Sequence, residues 1–192
     1  MSELKTTSLS HKDNATGTPN ITMFPDGTTS LSGVSGKVVG YQQGVWIPRL
    51  ASSDNTSVYT HTAQRGTWFR VGNMVTVCFF VQISDKTVSG VGVQVVADLP
   101  YNFIDALGAN TIFSGSISRA TDFTNGWSPS ACSMQVYSGR TVITLRTNNN
   151  TGNDSYTSVG PGRSSNNATL GGQISYITED TAWTPINGAT VT

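Results

Sequence analysis

Charged side chains are scarce in this sequence. They make up 11% of the 192 residues, against about 25% in an average soluble domain, and the formal net charge is zero. Ser, Thr, Asn and Gly must therefore cover most of the surface, which favours β-structure with many loops over long solvated helices. A neutral chain gives no electrostatic support for nucleic acid or an anionic membrane as partner, so we expect neither.

Long apolar runs are also missing. No stretch approaches the ~20 apolar residues of a bilayer-spanning helix, and no short apolar segment of the signal-peptide type follows Met1. We therefore expect a protein that is not inserted in a membrane and not secreted through a cleaved signal.

Histidine and cysteine are too few for most catalytic or metal sites. Neither His11 nor His61 lies near a Gly-x-Ser-x-Gly sequence, which disfavours a hydrolase with a serine nucleophile. Cys78 and Cys132 show no CxxC spacing and no histidine at ligand spacing. Two buried free thiols are the favoured interpretation, and a disulfide is the alternative.

The acidic residues are scattered, which disfavours a metal site. Glu179-Asp180 is the one adjacent pair among those that follow the N-terminal region, and we interpret it as a solvated strand end. A glycosidase with paired carboxylates stays open as an alternative, because such pairs meet only in space. The sequence favours a protein that is not an enzyme, with no cofactor and no metal.

One hairpin pattern, over residues 59–83, is the clearest structural signal. Gly72-Asn73 suits a two-residue hairpin loop. Beyond it the side chains alternate, and one face is uniformly apolar: Val75, Val77, Phe79, Val81 and Ile83. This face is predicted to meet a core. The other face still carries Met74, Cys78 and Phe80, so we predict that another layer or another subunit covers it. These three residues are the predicted subunit interface.

Short β-compatible runs separated by turn residues follow along the rest of the chain. The predicted strands cover residues 57–64, 67–71, 74–83, 92–99, 110–120, 130–137, 140–147 and 172–178. Arg65-Gly66 is interpreted as a break or bulge. Trp68 and Phe69 are neighbours on one strand, so at most one of them faces the same core. This pattern predicts an all-β fold, an antiparallel β-sandwich of the jelly-roll kind.

Two regions are predicted along the chain: an extended N-terminal arm over residues 1–45 and a β-sandwich head over residues 46–192, entered at Trp46. The arm has too few apolar residues for a core. Several of them flank a Pro-Asp-Gly turn and are the predicted anchoring residues: Ile21, Met23, Phe24 and Leu31. The arm is predicted to dock on a larger partner, with disorder as the alternative.

A long polar segment, residues 148–170, precedes the last predicted strand. Loops of this length in compact domains are usually functional or disordered. Aromatic rings among Asn, Ser and Thr suit the faces of sugars, although such rings are also common in cores. The candidate contacts with a glycan or host surface are Trp127, Asn149, Asn153, Tyr156 and Arg163.

Two stretches resemble bacteriophage virion proteins. The first is the run Tyr59-Thr60-x-x-x-Gln64-x-Gly66-x-Trp68-x-Arg70-Val71-Gly72-Asn73-x-Val75-x-Val77. It is similar to a β-domain of phage tail-fibre tips, in which a Leu-Pro follows, here Leu99-Pro100. The second, Asn20-Ile-Thr-Met-Phe-Pro-Asp-Gly-Thr-Thr, is similar to N-terminal segments by which marine phage fibres and decorations attach to the virion.

The resemblance implies a homotrimeric virion protein whose N-terminus binds other tail or capsid proteins and whose head is β-rich. The chain has no long shaft, so a short tail fibre or receptor-binding protein that contacts a host-surface glycan is the hypothesis. A capsid decoration protein without a receptor role and a free carbohydrate-binding module are the alternatives.

Overall fold

The computed structural model describes residues 8–9, 21–23, 29–31, 40–88, 92–103, 113–123, 129, 131–137, 140–148, 156–158 and 164–192. These ranges contain β-strands and no helix. The strands are β1 (Ser8–Leu9), β2 (Ile21–Met23), β3 (Thr29–Leu31), β4 (Tyr41–Trp46), β5 (Arg49–Ser52), β6 (Val58–Val71), β7 (Met74–Thr87), β8 (Gln94–Ala97), β9 (Ser114–Phe123), β10 (Ala131–Tyr137), β11 (Arg140–Asn148), β12 (Tyr156–Ser158), β13 (Ser164–Ile177) and β14 (Thr190–Val191).

The strands form two antiparallel sheets. The small sheet has the order β1-β2-β3, and the large one has eleven strands in the order β14-β4-β6-β7-β13-β9-β10-β11-β8-β5, with β12 paired to β11. Every pairing is antiparallel. The predicted all-β antiparallel class is confirmed.

The large sheet curls so that its two ends meet. β4 and β5 lie near opposite ends of the strand order, yet only Ile47 and Pro48 separate them in sequence. The backbone N–H of Leu50 in β5 donates to Nε2 of His61 in β6, at 3.1 Å. The curled sheet is a half-barrel of antiparallel strands, and it encloses the main cluster of buried side chains.

The predicted hairpin is the link between β6 and β7. Val71 pairs with Met74, and Gly72 has a φ of 60°, as expected at the first central position of a type II′ loop. The apolar face of β7 lies in the core, with its five side chains from Val75 to Ile83 at most 4% exposed. The predicted direction of this face is confirmed.

The predicted break at Arg65-Gly66 is wrong, because β6 is one strand of 14 residues. Its irregularity lies between Thr60 and Ala63 instead. Gly66 has a packing role, since a Cβ atom at this position would lie 2.2 Å from Nε1 of Trp46. The glycine is therefore required by close contact between strands and not by a bend.

Trp68 and Phe69 face opposite sides of β6, as predicted. Trp68 is 2% exposed and Phe69 is 43% exposed. The Trp68 indole donates from Nε1 to the Val45 carbonyl at 3.3 Å, and its ring meets Tyr101 edge to face, with centroids 5.4 Å apart. Trp68 therefore joins β4 to the centre of the core.

Two predicted boundaries change. The large sheet starts at Tyr41, since β4 pairs with β6 from Tyr41 to Trp46, so residues 41–45 of the predicted arm belong to the sheet.

The polar segment ends at residue 163, because β13 begins at Ser164. From Thr169 onward β13 is held between β7 and β9, and this pairing outweighs the loop-like composition of residues 164–170. The division into two domains stays a prediction.

Cys78 and Cys132 are free, and only Cys132 is buried. The interpretation of two free thiols is confirmed, but burial is wrong for Cys78. On β7 the side chains flanking Cys78, Val77 and Phe79, point into the core, so Cys78 must point outward. The two thiols lie on opposite faces of the sheet.

The N-terminal strand–turn–strand pattern appears in the small sheet. Ile21 in β2 pairs with Leu31 in β3, and Met23 pairs with Thr29. Phe24 lies outside the described residues. The anchoring role of this segment stays a prediction.

Candidate functional site

The outward-facing side chains of β4, β6, β7, β13 and β9 form a broad surface, here called the outer face. One row across it is apolar, and the strand register aligns its members side by side: Tyr41, Val71, Met74 and Ile177. Met74 is 56% exposed, and Tyr41 and Val71 are exposed as well. The predicted interface residue Met74 therefore lies in an exposed apolar row.

A second row, here called the arginine row, crosses the same face further along β7. Arg65 pairs with Phe80, Phe80 with Gly171, and Gly171 with Arg119. A Cβ atom on Gly171 would lie 3.7 Å from the Arg119 Cβ, so Arg119 shares the face of Phe80. Both arginines are exposed. The row thus places one half-buried aromatic ring and a buried glycine between two cations.

A groove of about 560 Å³ lies beside the arginine row, where β4 leaves β6. The outward-facing side chains that line it are mostly apolar: Val45, Ile47, Arg65, Thr67, Cys78 and Phe80. Arg65 is the one charged residue in the lining. Two of the three predicted interface residues, Cys78 and Phe80, line this groove.

The predicted glycan contacts are not brought together among the described residues. Tyr156 begins β12, where it pairs with Asn148 of β11. The remaining members of that set lie outside the described residues: Trp127, Asn149, Asn153 and Arg163. By contrast, Met74, Cys78 and Phe80 share the outer face as the alternation on β7 predicted.

Two titratable groups, Asp54 and Cys132, are held in states unsuited to proton transfer or nucleophilic attack near neutral pH. A hydrogen bond from Ser52 is the main cause that lowers the pKa of Asp54 to about 2. Burial raises the pKa of the Cys132 thiol to about 12, which keeps it protonated and a poor nucleophile. In the described part of the chain, no group of three or more His, Cys, Asp or Glu residues could hold a metal ion. The absence of enzymatic activity stays a prediction.

His61 closes the seam between β5 and β6, and it predicts a pH-dependent stability. Burial lowers the pKa of His61 below its usual 6.5. Arg49 also lowers this pKa, and Asp98 opposes it. The unfolded chain therefore binds more protons than the folded one just below pH 6.5, so stability falls as the pH drops through that window. Protonated Nε2 can no longer accept the Leu50 N–H.

We expect the free energy of unfolding to fall by about 1 kcal/mol, the net value of one hydrogen bond, when the pH is lowered from 7.5 to 5.5. Urea unfolding at both pH values measures this loss. The variant His61→Gln keeps a hydrogen-bond acceptor but does not titrate. Its free energy of unfolding should therefore change less between the two pH values. Equal losses in both proteins would contradict the assignment.

Arg70 is a fully buried cation, and such a charge needs partners. Its Nε donates to the Gly72 carbonyl at 2.6 Å, and Nη1 lies 2.7 Å from Oδ2 of Asp180. Nη2 donates to the Asp180 carbonyl. The guanidinium also stacks on Trp183 at 4.0 Å and on Tyr101 at 4.8 Å from the ring centroids. These contacts make Arg70 a structural clamp on the C-terminal segment, residues 178–192.

The interpretation of Glu179-Asp180 as a solvated strand end holds for Glu179, which is exposed just after β13, and is wrong for Asp180. Asp180 is an ion-pair partner that also accepts the backbone N–H of Trp183 at 2.8 Å. The rest of the segment returns to the sheet, where Thr190 pairs with Val45. One sequence signal pointed to this pair: Arg70 has the same parity on β6 as the inward-facing Trp68, so it needed an acidic partner in the core.

The hairpin motif is thus largely structural. Its residues Gln64, Gly66, Trp68 and Arg70 recur at every second position on the inward side of β6. Gln64 donates from Nε2 to the Pro48 carbonyl at 2.9 Å, and the other three contact Trp46, Tyr101 and Asp180 as described. The inward residues of the motif therefore specify how β6 packs.

Part of the chain is similar to the crystal structure of the Dettilon tailspike protein, with 17% sequence identity and a TM-score of 0.47. The match covers 70% of this chain and 23% of the tailspike. A match of this quality and extent assigns no function. No protein-family model and no curated protein matches the sequence. The described residues include no helix long and apolar enough to cross a membrane.

Proposed function

We propose that this chain is a bacteriophage virion protein of the short tail-fibre or receptor-binding type, located at the tail or capsid surface. The hairpin motif carries the proposal: each of its inward residues on β6 has a defined packing partner, so the stretch that resembles tail-fibre tips is the one that builds this domain. The N-terminal resemblance adds an anchoring segment that contains Ile21, Met23, Phe24 and Leu31. In this proposal the chain is a structural protein and not an enzyme.

Self-association through the outer face is part of the proposal. A homotrimer would bury side chains around Met74, Cys78 and Phe80, and the exposed apolar row supports such a contact. Burying apolar surface contributes roughly 25 cal/mol per Å², so even a few hundred Å² per subunit matters. The host-surface glycan would be met by the residues around Trp127 and by the polar segment with Asn149, Asn153, Tyr156 and Arg163.

Supplying tagged protein during infection tests the virion role. We expect the full chain to be found on purified particles, and a chain without residues 1–33 to fold and stay off them. Circular dichroism of the truncated protein provides the folding control. Full incorporation of the truncated chain would contradict N-terminal anchoring, and absence of the full chain from particles would contradict the virion role.

A capsid decoration protein is the second candidate, because the N-terminal segment is similar to those of decorations as well as fibres. Immunogold labelling of the tagged particles separates the two, since label at the tail supports a fibre and label over the capsid supports a decoration. Sedimentation of the purified chain tests the trimer, and a monomer of 20.3 kDa would contradict it.

A further inference from the structure

We infer that the arginine row and the adjoining groove bind a polysaccharide with carboxylate-bearing sugars, such as uronic acids. This inference rests on the proposed function, names the class of glycan and gives it a contact surface separate from the residues around Trp127 and the polar segment. The row spans three steps between neighbouring strands, or roughly 14 Å at ~4.8 Å per step. It is long enough for more than one sugar ring.

Charge supports an acidic ligand. Arg65 and Arg119 form no ion pair with any described residue, whereas Arg49 and Arg70 do. The outward neighbours on both sides of the row are uncharged: Thr67, Cys78, Gln173 and Ser116 on one side, and Ala63, Gln82, Thr169 and Thr121 on the other. A guanidinium matches the two oxygens of a carboxylate. Two such groups in an otherwise neutral surface favour a ligand with spaced negative charges.

The other groups of the row suit a sugar. The half-buried Phe80 offers the exposed part of its ring to the C–H groups of a pyranose, and Gly171 beside it adds no side chain of its own. Gln82 and Gln173 lie two residues further along their strands from Phe80 and Gly171, where their amides can hydrogen-bond hydroxyl groups. Aromatic and amide groups beside a cation recognise a charged sugar better than a simple anion.

Nucleic acid fits this surface less well. Phosphate backbones are bound by many cations and give a basic protein, whereas this chain has zero formal net charge. The groove stays open only if the subunit contact is limited to the apolar row around Met74 and leaves out Cys78 and Phe80, which the trimer proposal also placed in it. Met74 and Phe80 are six residues apart on β7, which is about 20 Å along a strand.

Calorimetric titration of the full chain with oligogalacturonate tests the inference, and the methyl ester of the same oligomer serves as the neutral ligand. We expect the charged oligomer to bind at least ~10-fold more tightly. Arg65→Gln/Arg119→Gln should weaken binding at least ~10-fold, as should Phe80→Ala. Lys86→Gln removes a positive charge about 20 Å from Phe80 on the same strand and should change binding less than twofold. Thermal melts confirm that each variant folds.

A glycan array with alginate, hyaluronan, polysialate and neutral polysaccharides separates this inference from the proposed function. Binding to a carboxylate polymer that is lost in the double variant supports both. Binding to neutral glycans only, or binding that the double variant retains, overturns the arginine row and leaves the receptor role standing. No binding to any polysaccharide overturns the inference together with the glycan role, and the particle experiment then judges the virion role independently.

Discussion

Replacing Asp180 with asparagine is expected to destabilise the domain by about 3 kcal/mol. The change leaves the fully buried Arg70 guanidinium without a counter-charge, and breaking a buried ion pair in this way costs ~3–5 kcal/mol. We expect the lower end of that range, because Trp183 and Tyr101 still stack on the cation and an asparagine oxygen can still accept one hydrogen bond. The loss should also loosen residues 178–192, which Asp180 and Arg70 hold against the sheet.

Asp98→Asn is the matched control. Asp98 forms the other ion pair between described residues, with Arg49 at 2.8 Å, but their side chains are 36% and 37% exposed. Exposed pairs contribute ~0–1 kcal/mol, so this variant should lose no more than about 1 kcal/mol. Chemical unfolding measures both free energies, and hydrogen exchange over residues 178–192 reports the loosening. Similar losses in both variants would contradict the role given to the Arg70 clamp.

The substitution Trp68→Ala should lower the free energy of unfolding by about 3–5 kcal/mol, the range found for removing a large aromatic side chain from a core. The substitution opens a cavity, breaks the edge-to-face contact with Tyr101 and leaves the Val45 carbonyl without its indole donor. Phe69→Ala, on the same strand, removes a ring that is half exposed, and we expect a loss below about 1 kcal/mol. Urea unfolding of the two variants gives the comparison.

The two neighbouring variants test the orientation of β6 directly. If Phe69→Ala cost as much as Trp68→Ala, the strand would face the core with the other set of side chains. Combining Trp68→Ala with Asp180→Asn adds a second test, because Tyr101 contacts both Trp68 and Arg70. We expect their effects to be non-additive, as is usual for groups that share a partner.

The sequence predicted best what depends on local alternation. On β7, apolar residues at every second position set the core face, and on β6 the adjacency of Trp68 and Phe69 required them to diverge. The Gly72-Asn73 loop followed from backbone chemistry alone. The sequence pattern wrongly predicted a break at Gly66, where the glycine is required by close contact with Trp46 on another strand. It also failed at Ser164, where pairing with two neighbouring strands overrides a polar, loop-like composition.

By itself, the sequence determined the all-β class, the central hairpin and the two faces of β7, because period-two alternation is a property of a single strand. Only the tertiary structure decided which strands became neighbours, since register and curl depend on contacts between distant residues. The ion pair of Arg70 with Asp180 joins residues 110 positions apart. The arginine row likewise unites Arg65, Phe80, Gly171 and Arg119 from four strands, and no pattern within one strand shows such a row.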